Sequence, residues 1–205
     1  MDDQAIRSLK LVYVSALANI AVATVLTGAF APIVLRGSTS LVHGGIAVLL
    51  SPDFNVHQIT RDHEGIEWLA PYRVEIAAAS AIRLNGGVLK AGDSLTATTP
   101  AANSLQLLFI AMAGALFATA RGGWVRSLMA VVAVLCTWAV WHIVETVVLL
   151  VGPTIDLLTA NGYHSALSVM EPIAHAIDGG GRLAIGCVFA LLIYVAFSNK
   201  NVPGV

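Results

Sequence analysis

Residues 11–35 run for about 25 positions without one charged side chain. At 1.5 Å per residue, a helix of that length exceeds the roughly 30 Å hydrocarbon core of a bilayer, so the first expectation is a transmembrane helix. Its end, Ala29-Phe30-Ala31, has the small-residue pattern of a signal-peptidase site, but Pro32 would follow the cut, and the segment reads as an uncleaved anchor. Three more apolar runs occupy residues 105–120, 127–151 and 183–197. The fold expected is therefore mainly α: an integral membrane protein with about four transmembrane helices and a small β-containing extracytoplasmic segment between the first and second. Composition agrees. With 57% hydrophobic residues, 11% charged residues and a mean hydropathy of +0.80, 205 residues carry more apolar surface than one water-soluble core buries.

The organisation follows. Residues 1–36 hold the amino-terminal flank and the first span, 37–103 the extracytoplasmic segment, 104–198 the second to fourth spans with an outer loop at 152–182, and 199–205 a tail. Residues 41–50 are too short to span and too apolar for an ordinary loop, so they are expected to lie along the interface. A polar patch follows, with Asp53, His57, Arg61, Asp62, His63, Glu64 and Glu67. The alternation in Tyr72-Arg73-Val74-Glu75-Ile76 has the period of a half-buried strand, and residues 88–90 and 94–99 read as further strands. Asn85-Gly86-Gly87 and Ala91-Gly92-Asp93 supply turns, completing a β-rich cap. The third run stops at Gly152-Pro153, and 154–182 reads as a polar, glycine-containing connection.

Basic residues set the orientation. Arg7, Lys10, Arg121, Arg126 and Lys200 flank the short segments expected inside, which places both termini in the cytoplasm of a bacterial inner membrane. The 37–103 segment holds Arg61, Arg73, Arg83 and Lys90, but a longer folded segment weighs less in topology than short flanks. A net charge of −1 offers no basic patch for nucleic acid. Cys136 and Cys187 both lie in apolar runs at different depths, which argues against a disulfide, and Cys-based zinc spacing is missing.

The third run carries its costliest residues as a set: Trp138, Trp141, His142 and Glu145. Spacings of three and four put His142 and Glu145 on one helical face. An ionised group at mid-membrane costs about 2.5–3.5 kcal/mol, so these side chains are expected to face protein, water or a cofactor. A buried hydrogen-bonded pair is one reading. Another is an outer-surface site, because Asn103, Asn161, His164, Glu171, His175 and Asp178 belong to the same side; His164, His175 and Glu145 are then the catalytic candidates. The spacings match no standard metal motif, and no metal is assigned either there or at His57 and His63. His142 is the cofactor-binding candidate, since an imidazole in an apolar helix suits an axial ligand to haem or a chlorophyll-type pigment.

The order of these features, an amphipathic stretch, a short β-like outer segment and then a small-residue motif entering a helix, resembles the exosortase and archaeosortase family of membrane transpeptidases. The resemblance covers roughly residues 41–197 and rests on layout. It implies an extracytoplasmic Cys, Arg and His, with the Cys in the segment similar to Thr99-Pro100-Ala101-Ala102-Asn103-Ser104-Leu105. Here Ala102 and Asn103 occupy that region, and the Arg position falls near His142-Ile143-Val144-Glu145. Only the His keeps a counterpart, at His164 or His175. Neither Ala nor Asn forms a thioester, and Glu carries the wrong charge for an oxyanion.

The function expected is therefore a non-catalytic multi-pass subunit, or an assembly or stabilising factor, of a larger membrane complex, with other integral membrane proteins and the lipid bilayer as partners. Gly28 and Ala31, Gly114 and Ala118, and Gly186 and Ala190 give small-residue pairs at helical spacing, which serve either partner binding or packing within the bundle. The alternatives are an exosortase-like peptidase or transferase with an altered outer site, and a pigment- or haem-binding subunit through His142.

Overall fold

The computed structural model describes residues 3–61, 70–100, 104–120 and 123–198. The chain is mainly helical with a small sheet, and it divides into two compact units, each assembled from distant stretches. One unit takes Met1–Ala31, Leu105–Trp138 and Leu183–Val205; the other takes Pro32–Ser104 and Ala139–Arg182.

The first unit is helical. It contains most of α1 (Asp3–Gly37), all of α3 (Leu105–Thr119), the start of α4 (Trp124–Ala160) and nearly all of α6 (Arg182–Ser198). Small residues let its helices approach: a Cβ on Gly114 would stand 2.9 Å from that of Ala190, and one on Gly186 would stand 3.6 Å from the Leu107 backbone. Gly28 has nothing within 4 Å of its Cβ position. Three stretches, Tyr13–Gly37, Trp124–Ala160 and Ala166–Phe197, are long and apolar enough to cross a membrane. With 15 residues, α3 extends about 22 Å, short of a hydrocarbon core.

The second unit wraps a core around a sheet. Helix α2 (Thr39–Leu50) is followed by β1 (Phe54–Arg61), β2 (Tyr72–Ala78), β3 (Ile82–Leu84), β4 (Gly87–Leu89) and β5 (Ser94–Thr99). Strands β1, β2 and β5 form an antiparallel sheet in the order β1-β2-β5, and β3 pairs with β4 in a hairpin. Val42, Ile46 and Leu50 of α2, Val74 and Ile76 of β2, and Val147, Leu150, Val151, Ile155 and Leu158 of α4 share one core. Residues 41–50 thus bury an apolar stripe at spacings of four against the strands.

Two sequence expectations change here. The part of the polar patch from Phe54 to Arg61 forms β1, where a register shift between Val56 and Gln58 inserts His57 as an extra residue. The bulge breaks the alternation, so the inward set is Phe54 and Val56 and then Ile59 and Arg61, and the period of two is lost to the eye. The connection expected at 154–182 is largely helical: α4 continues to Ala160, and a 3₁₀ turn (Ala166–Val169), α5 (Met170–Ala176) and a π turn (Ile177–Gly181) lead into α6. Pro153 removes one helical amide, but Val151, Ile155 and Leu158 on the buried face hold the helix together, and Thr154 Oγ1 donates to the Leu150 carbonyl at 2.9 Å. The helix ends at Gly162, whose φ of +87° is open to glycine at little cost and whose missing Cβ makes room for Asn85 Oδ1.

Candidate functional site

All of the contacts that follow lie within the second unit. His142 and Glu145 sit one turn apart on α4, only 1% and 2% exposed, so each must find its partners inside the protein.

The His142 ring is held at both nitrogens. Ser104 Oγ lies 2.8 Å from Nδ1, and the Tyr72 hydroxyl lies 3.1 Å from Nε2. Tyr72 is the first residue of β2 and faces inward by the strand's alternation. Its hydroxyl is a hub: it donates to the Leu35 carbonyl at 3.0 Å, shares a hydrogen bond with Ser38 Oγ at 2.8 Å, and accepts from Arg61 Nη2. The same Arg61 nitrogen donates to the Leu35 carbonyl, and the guanidinium carbon stands 4.4 Å above the Tyr72 ring. With the Tyr72 proton on the Leu35 carbonyl and Ser38 Oγ donating to that same carbonyl at 3.0 Å, a His142 ring proton on Nε2 lets Nε2 donate to the phenol oxygen while Ser104 donates to Nδ1. Burial holds the Tyr72 phenol above its ordinary pKa, against the lowering influence of Ser38 and of the Arg61 charge, so the hydroxyl keeps its proton.

Glu145 is enclosed in the same way. Trp141 Nε1 donates to Oε2 at 2.8 Å, and Arg182 Nε donates to Oε1. Arg182, 12% exposed at its side chain, also reaches Asp178 Oδ1 at 3.1 Å through Nη2. Each carboxylate oxygen therefore has a donor, and the charge has a counter-ion. Arg182 and Tyr72 are the residues that the sequence reading did not single out. A lone Arg at the entry of the last apolar run was the available signal for the first; nothing local announced the second.

The catalytic candidates are not brought together. His175 lies 3.8 Å from Glu171, one turn away on α5, with a side chain 75% exposed. His164 is exposed, and among the described residues no hydrogen bond or ion pair joins Glu145 to His164 or His175. Asn161 Nδ2 donates to the Leu157 carbonyl at 2.7 Å, capping the end of α4. Asp178 belongs to the Arg182 cluster. His57 is exposed on β1, whereas Asp62, His63, Glu64, Glu67, Ala102 and Asn103 lie outside the described residues. Among the described residues, no three His, Cys, Asp or Glu side chains gather as metal ligands. Axial ligation by His142 would require one of its two ring hydrogen bonds to be given up. Cys136 and Cys187 are free and exposed.

No family model, curated protein or solved structure matches the chain.

Proposed function

We propose that this chain is a multi-pass membrane protein that serves as a non-catalytic subunit or assembly-stabilising factor of a larger membrane complex. The observation that carries the reading is the state of the α4 polar groups. Both ring nitrogens of His142 and both carboxylate oxygens of Glu145 are occupied by donors and acceptors of the chain itself. A general base or an axial ligand needs a free lone pair facing a substrate or cofactor, and a buried structural network does not. That network instead fixes strand β2, the end of α1 and the first residue of α6 to α4, as a scaffold requires.

Exposed apolar side chains support the membrane assignment. Tyr13, Leu17, Val25 and Ile33 on α1, Leu128, Val132 and Val140 on α4, and Val188, Leu191 and Val195 on α6 are all at least half exposed, an arrangement that lipid covers and water does not favour. We read α3 as a fourth, short crossing accommodated by local bilayer thinning. The basic flanks then put both termini inside a bacterial inner membrane and the β-rich segment outside. Other integral membrane proteins are the partners; nucleic acid is not.

The test is copurification from native membranes in mild detergent, with the double variant His164→Ala, His175→Ala alongside the native chain. A stoichiometric membrane partner retained by both is the expected result. A chain that purifies alone, or a reaction that the double variant loses while assembly is intact, would overturn the proposal.

A further inference from the structure

We draw no further inference here: the strongest candidate, the apolar groove that Asn19 of α1, Gly114 and Phe117 of α3 and Tyr194 of α6 line within the first unit, is an unpartnered face, and nothing in the structure shows what covers it.

Discussion

Arg182 Nε donates to Glu145 Oε1, joining two residues 37 positions apart in sequence and burying the carboxylate almost completely. Removing one partner of such a pair costs more than removing both, because a lone buried charge keeps its desolvation penalty without its counter-ion. Arg182→Met, which leaves the buried Glu145 carboxylate with the neutral Trp141 donor and without its Arg182 counter-ion, is therefore expected to lower unfolding stability by about 3 kcal/mol. The double variant Glu145→Leu, Arg182→Met should recover most of that loss. Denaturant titration in detergent micelles measures both, and strictly additive losses would show that the pair is not coupled.

The Tyr72–His142–Ser104 chain gives a graded expectation. Ser104→Ala removes one hydroxyl and should cost about 1 kcal/mol, whereas His142→Ala removes both ring hydrogen bonds and leaves a cavity in place of a fully buried side chain, and should cost about 2–3 kcal/mol. A thermodynamic cycle between the two variants should show coupling, since Ser104 and His142 share a hydrogen bond. Coupling of zero would mean that the contact contributes nothing to the fold.

Glycine substitutions separate close approach from open helix surface. A Cβ on Gly152 would stand 2.8 Å from that of Ala174 and 3.1 Å from the Met170 carbonyl oxygen, where backbone cannot yield cheaply. Gly152→Ala should destabilise by about 1–3 kcal/mol through overpacking. Gly28→Ala meets nothing within 4 Å and should be neutral or slightly stabilising, because alanine favours the helix. Melting temperatures of the two variants are enough to compare them.

Tyr163 makes a pH prediction. Burial, the 2.5 Å hydrogen bond to Asp53 and the charge of Asp53 together raise its pKa to about 12. The folded value lies above the unfolded one of about 10, so the contribution is complete below pH 10 and is lost as pH rises through about 12. The second unit should loosen over that window, and Tyr163→Phe should flatten the dependence. Near-ultraviolet circular dichroism against pH follows it; an unchanged profile in the variant would dissociate Tyr163 from the transition.

Much of the architecture was legible because hydropathy and alternation are local signals. The apolar runs became helices, and Tyr72 to Ile76 and residues 94–99 became strands β2 and β5. What was not legible depended on partners distant in sequence. The one-residue bulge at His57 hid β1 by breaking its period. The passage of α4 through Gly152-Pro153 came from burial of Val151, Ile155 and Leu158 against a sheet formed earlier in the chain, a tertiary effect that outweighs a local stop signal. At the candidate site, the shared face of His142 and Glu145 followed from helical spacing. Their partners Tyr72 and Arg182 lie 70 and 37 positions away, and no pattern within the helix points to either.

The order in which the second unit is completed has a consequence for synthesis. Its strands occupy residues 54–99, yet the α4 side chains that cover their apolar face begin at Val147, and Arg182 comes last. At roughly 5–20 residues per second, a ribosome leaves that face waiting for several seconds while the intervening helices are delivered. A nascent chain halted before residue 147 should therefore expose a sticky, unfinished sheet, and the cell must either shield it or insert the next helices without delay.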